Sequence, residues 1–131
     1  MTASLDLTAS RNLAWAPTID LFYPGAELPL DGATIKMEVR LYPGQPGSPL
    51  IVGESLAFQD LPPSAPGGQR CLRVFPGANQ DALAAMPTGL NQPEPGEADV
   101  YAYDIILTYA DGQQDKLALG RFIVEPGVTQ P

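Results

Sequence analysis

The side chains best able to do chemistry in this sequence are carboxylates. Fifteen Asp and Glu stand against seven Lys and Arg, and histidine is absent. Without histidine, neither a Ser-His-Asp triad nor a Cys-His pair can be assembled, and the commonest zinc ligand sets are lost. Cys71 is the single cysteine, which excludes an intrachain disulfide and any Cys-rich metal or iron–sulfur site. Its thiol reads as a small hydrophobe inside a strand. No glycine-rich phosphate loop of either standard spacing occurs. Six acids gather toward the C-terminal part of the chain: Glu94, Glu97, Asp99, Asp104, Asp111 and Asp115. Oxygen ligands of this kind suit Ca²⁺, but their spacing does not match a Ca²⁺-binding loop. They read as a solvated acidic edge, which also discourages edge-to-edge strand pairing. Trp15, Tyr42, Tyr101, Tyr103 and Tyr109 are the candidates for a sugar-stacking platform, although aromatics at strand spacing more often fill a core or an interface. The residue chemistry therefore names no catalytic residue, no cofactor and no metal, and the expectation is a protein that is not an enzyme.

The elements behind these side chains are strands. At 131 residues the chain fits one domain, expected to span 1–131 with flexible ends over 1–4 and 126–131. Fifteen prolines and 13 glycines are scattered between apolar runs, the composition of many tight connections in an all-β sandwich. The net charge of −8, with basic residues spread singly, argues against nucleic acid or an acidic membrane surface as partner. The N-terminal residues lack the charged start and apolar stretch of a signal peptide, and no run of 18 apolar residues exists. The expected location is therefore the cytoplasm in which the chain is made.

Along the chain, Ile35, Met37, Val39 and Leu41 alternate with Thr34, Lys36, Glu38 and Arg40, the period of a half-buried strand over Ala33 to Tyr42. Leu13 to Phe22 reads as a strand with Leu13, Trp15, Ile19 and Leu21 on one face. Pro17 falls in that phase and cannot donate to a ladder, which marks an edge or a bulge. A short strand over Leu5 to Thr8 precedes it. Further strands are expected over Leu50 to Phe58, interrupted by Gly53, and over Gln69 to Phe75. Asn79 to Met86 has the capping residue, the first-turn acid and the alanines of one short helix, with Leu83 and Met86 facing the core together. Pro87 stops it, and Thr88 to Glu97 follows as an exposed loop. Asp99 to Tyr109 and Lys116 to Glu125 form a closing hairpin around the Asp111-Gly112 turn. Leu117 and Leu119 are out of phase with Phe122 and Val124, which predicts a bulge near Leu119 and Gly120.

Four of these stretches carry a resemblance. Asp31-Gly32-Ala33-Thr34-Ile35 running to Val39-Arg40 is similar to the GA-x-I-x-x-x-V-R strand of small phage and prophage tail modules. Asn79 to Pro87 resembles their short helical turn. Tyr101 to Gly112 resembles their Y-x-Y-D-I-x-L-T-x-x-D-G hairpin, and Leu117, Gly120, Phe122 and Val124 match their closing L-x-x-G-x-F-x-V. Together, over roughly Leu5 to Val124, they resemble the immunoglobulin-like domain at the N-terminus of phage baseplate upper proteins and related tail-fibre proteins. The resemblance implies an all-β, immunoglobulin-like β-sandwich of about seven to eight strands with one short helix.

It also implies a function. The expectation is a non-enzymatic structural or assembly protein of a phage or prophage tail, acting through protein–protein contacts with other tail proteins or with itself. Its final location would then be the virion tail. Tyr42 to Gln69 is richer in Pro and Gly than the family pattern. The chain closes at Pro131 without a receptor-binding region, which favours an adaptor or structural subunit. The strands most available for pairing are the one containing Pro17 and Leu50 to Phe58. The alternative is a carbohydrate- or receptor-binding β-sandwich module, which needs Trp15 or Tyr101 lying flat in solvent. An immunoglobulin-like adhesin fragment is a third reading, set back by the missing signal peptide.

Overall fold

Period-two alternation sets the long strands. In the computed structural model, which describes residues 2–89 and 94–130, β4 (Thr34–Arg40) buries Ile35, Met37 and Val39 and turns Lys36, Glu38 and Arg40 outward. Nine strands and one helix occupy the described residues. In chain order β4 is preceded by β1 (Ala3–Ser4), β2 (Leu7–Ser10) and β3 (Ile19–Tyr23). It is followed by β5 (Ile51–Gly53), β6 (Ala57–Leu61), β7 (Arg70–Phe75), α1 (Gln80–Ala84), β8 (Asp99–Thr108) and β9 (Gln114–Glu125).

The larger sheet runs β1-β9-β8-β4-β5, with β2 also on β9, and the smaller one runs β3-β7-β6. Lettered in chain order, with β1 and β2 as a split first strand, the sheets are A-G-F-C-C′ and B-E-D. That is the immunoglobulin-like sandwich, and the protein is an all-β member of this architecture. The core lies between the sheets, where Phe122, Ile35, Leu72, Leu83, Ile105, Leu107 and Leu117 are fully buried. α1 closes one end. The Asn79 side chain caps it by accepting from the Ala82 amide at 2.7 Å, and Leu83 and Met86 both turn into the core as expected. No helix among the described residues is long and apolar enough to cross a membrane.

Several boundaries differ from the sequence expectation, each for a local reason. The strand expected over Leu13 to Phe22 begins only at Ile19, and Leu13 is exposed. Pro17 cannot extend the ladder, so Trp15 makes an isolated bridge to Ala78 instead. The short N-terminal strand lies at Leu7–Ser10, and Ala3–Ser4 pair with β9 in place of the loose end expected there. Leu50 to Phe58 divides at Gly53, as the sequence suggested, but its halves join different sheets: β5 pairs with β4 and β6 with β7. Part of the Thr88 to Glu97 loop, residues 90–93, lies outside the described residues.

The bulge in β9 is displaced from its expected place. Ile105 pairs with Ala118 and Ile106 with Lys116, so Leu117 is the extra residue, and Leu117 and Ala118 are buried in succession. Leu119 consequently faces outward. Gly120 has a different task, because a Cβ there would lie 1.8 Å from the Leu5 carbonyl oxygen. Between β1 and β2 the N-terminal segment runs beside β9 in the same parallel register, and the Leu5 amide donates to the Leu119 carbonyl at 3.0 Å.

Candidate interaction surface

The strongest polar cluster is internal, and it involves a residue expected in solvent. Asp99, read as part of an acidic edge, is only 4% exposed. It starts β8 in the same phase as Tyr101, Tyr103 and Ile105, so the pleat carries its carboxylate inward. That carboxylate accepts from Arg11 Nη2 at 2.9 Å, Thr88 Oγ1 at 2.8 Å and the Gly89 amide at 3.0 Å. Burial opposes its ionisation, but the hydrogen bonds from Thr88, Arg11 and Gly89 together outweigh burial and hold the carboxyl below its ordinary value. Arg11 also donates to the carbonyls of Leu83 at 3.1 Å and Met86 at 2.7 Å, and to the Tyr101 hydroxyl at 2.8 Å. The Tyr101 hydroxyl donates onward to the Pro87 carbonyl, a bond from the start of β8 back to the chain before it, like the tyrosine corner of immunoglobulin domains. The cluster ties the β2–β3 connection, α1 and the start of β8 into one unit. It binds the protein's own backbone, and no buried side-chain N or O among the described residues lacks a partner.

The sequence held a signal for this pair. Asp99 keeps the phase of an apolar strand face, which calls for a buried partner, and Arg11 is the only basic residue before Lys36. The other acids of the group scatter. Asp104 pairs with Lys116 at 3.5 Å, and Asp111 accepts from the Gln113 amide in the hairpin turn at 2.9 Å. Among the described residues, no three acids come together in a way that could hold a metal ion.

The aromatic candidates separate in the same way. Trp15, Tyr101 and Tyr103 are buried and Tyr109 is half-buried, while Tyr42 is exposed. Trp15 packs edge-on against Phe122 with ring centres 5.0 Å apart. The Tyr103 hydroxyl donates to the Leu5 carbonyl at 2.9 Å, and burial pushes its phenol up to about 12. These rings hold the two sheets and the N-terminal segment together and present no common flat surface. Cys71 is buried in β7 between Phe22 of β3 and Leu61 of β6, and burial pushes its thiol up, with the nearby Asp20 charge adding to the effect.

What the fold leaves outward is the far face of the larger sheet, over which the described residues place no further layer. One row across it reads Val52, Glu38, Asp104, Leu119 in β5, β4, β8 and β9. Val52 and Leu119 are 49% and 40% exposed. Beside this row a depression of about 320 Å³ is floored by Ala102 and Gly120. The charges on the face and its rim cancel. Lys36 pairs with Glu38 and Glu54, Arg40 with Glu38, Lys116 with Asp104, and Arg121 with Asp6. Hydrogen bonds from Lys36 hold the Glu38 carboxyl below its ordinary range, and those from Arg121 do the same for Asp6. Exposed pairs of this kind add little stability, but they make the surface electroneutral within a chain of net charge −8. Among the described residues β5 borders this face as an edge strand, and β3 and β6 are the edges of the smaller sheet. Both strands singled out for pairing are therefore at edges, with Phe22 of β3 60% exposed. No protein-family model matches the chain, and no curated protein sequence matches it.

Proposed function

We propose that this protein is a non-enzymatic assembly subunit of a phage or prophage tail, working through protein–protein contacts made by the outer face of its larger sheet. The ordered motifs from Asp31 to Val124 support the tail setting by resemblance. The observation that carries the assembly role is the uncovered, charge-cancelled face bearing Val52, Leu119 and the Ala102–Gly120 depression. Interface cores are poor in unpaired charge and accept apolar side chains in shallow relief. Edge strand β5, next to that face, offers main-chain hydrogen bonds to a neighbouring strand as well. The carbohydrate-binding alternative loses Trp15, Tyr101 and Tyr103 to the interior.

Light scattering across a concentration series tests the self-associating form of this proposal. The expected result is an oligomer, with the threefold or sixfold order of a tail, that Leu119→Glu returns to the 13.9 kDa monomer. A wild-type monomer at every concentration refutes self-assembly through this face.

A further inference from the structure

We infer that the cleft between the β3–β4 loop and the β8–β9 turn receives an arginine- or lysine-bearing segment of a different protein. The inference deepens the assembly proposal by giving the chemistry of one partner, and it takes only its biological setting from that proposal. The cleft has a volume of about 750 Å³ and opens at the end of the sandwich where the chain reverses after β3, after β6 and after β8. Its walls are apolar: Leu28 from the β3–β4 loop, Phe58 from β6 and Tyr109 at the end of β8, all packed against the core. Its rim is anionic, formed by Glu27, Asp31 and Asp111.

The charge distribution selects the occupant. Each of the seven Lys and Arg side chains is held in an ion pair inside this chain: Arg11, Lys36, Arg40, Arg70, Arg73, Lys116 and Arg121. The acids outnumber these side chains, and the net charge is −8. Among the described residues Glu27, Asp31 and Asp111 make no ion pair, unlike Asp60 deeper in the cleft, which Arg70 neutralises at 3.2 Å. A second copy of the chain offers only Lys and Arg side chains that are already paired and brings a further −8 to the contact. A divalent ion is a poor occupant, because the described acids do not converge as a ligand set. A basic side chain suits both parts of the cleft. Its aliphatic stem lies along Leu28 and Phe58, its charged head reaches the rim, and a guanidinium can also stack on an aromatic wall. Burial, then the charge of Asp115 outside the cleft and last that of Asp111 on the rim, push the Tyr109 phenol up.

The test is an amide-resolved NMR titration of the full chain with a capped pentapeptide carrying two arginines between glycines, and with its glutamate counterpart. The expected result is saturable shifts confined to Leu28–Asp31, Phe58 and Tyr109–Gln113 with the arginine peptide alone. The Glu27→Gln, Asp31→Asn, Asp111→Asn triple variant is expected to weaken binding at least tenfold, with an unchanged melting temperature. Asp111→Asn alone keeps the turn acceptor for the Gln113 amide and is expected to weaken binding severalfold, which holds the test open should the triple variant misfold. Shifts of equal size at Asp81, Glu97 and Glu125, an absence of saturation, or an unchanged affinity in Asp111→Asn overturns the inference. Light scattering on the same samples separates the two ideas, since a cleft that binds nothing leaves the oligomer mass as it was.

Discussion

Replacing Arg11 by methionine tests the internal cluster most directly. The substitution keeps a long apolar stem and removes the guanidinium that faces Asp99 at 2.9 Å, with the two side chains 14% and 6% exposed. It leaves a buried carboxylate without its counter-charge, a change that costs about 3–5 kcal/mol in comparable buried pairs. The Met86 carbonyl, just beyond α1, loses its donor too, adding up to about 1 kcal/mol where water cannot replace it, while the Leu83 carbonyl keeps the Met86 amide at 3.3 Å. Against a total stability of about 5–15 kcal/mol, the loss takes about a fifth or more and lowers the melting temperature by roughly 10–25 °C. Urea unfolding followed by fluorescence measures it, because Trp15 is the only tryptophan and is buried against Phe122. The pH dependence gives the mechanism. In the wild type the Asp99 carboxyl lies below its ordinary value of 3.8, so its contribution is fully present above that value and is lost as pH falls through the lowered one. In Arg11→Met burial is opposed only by Thr88 and Gly89, so Asp99 takes up its proton at higher pH. The stability gap between the two proteins is then widest at neutral pH and narrows on acidification. A loss under about 1 kcal/mol, or a gap that does not change between pH 7 and pH 4, refutes the ion-pair account.

Two further substitutions probe other elements. Gly120→Ala places a Cβ 1.8 Å from the Leu5 carbonyl oxygen; the expected result is detachment of β1 from β9, a loss of about 2–3 kcal/mol, and fast hydrogen exchange at the Leu5 amide with the β4–β8 amides still protected. Asn79→Ala removes the cap on the Ala82 amide and is expected to cost about 1 kcal/mol in urea denaturation, without altering the oligomer mass.

The legible parts of the fold were those written as local phase. Ile35, Met37 and Val39 gave β4, the Asp111-Gly112 pair gave the turn between β8 and β9, and Asn79 with Leu83 and Met86 gave α1 and its buried side. The errors came where two distant segments share one constraint. The Leu117–Leu119 spacing looks like a continuing phase, but an extra residue at Leu117 restores Ala118, Phe122 and Val124 to the core and sends Leu119 outward. Gly120 looked like the site of the slip because its actual reason, passage for the Leu5 carbonyl, lies 115 positions earlier in the chain. Arg11 and Asp99 are 88 residues apart and only the closed sandwich makes them a pair.

The same division bears on function. The motif residues that resemble tail modules mostly have structural work here: Ile35, Val39, Leu83, Phe122 and Val124 are core, Tyr101 fixes the segment before β8, and Gly120 admits the N-terminal strand. A resemblance built from such residues speaks first for a shared fold. The contact chemistry we propose falls instead on Val52 and Leu119 of the sheet face and on Glu27, Asp31 and Asp111 around the cleft, of which Asp31 and Asp111 lie within the motif stretches but point away from the core. None of these five side chains is committed to the core, so substitutions there are expected to move association while leaving stability within about 0.5 kcal/mol. A chain that unfolds when Leu119 or Glu27 is changed would place those residues in the scaffold and remove them from the interaction surface.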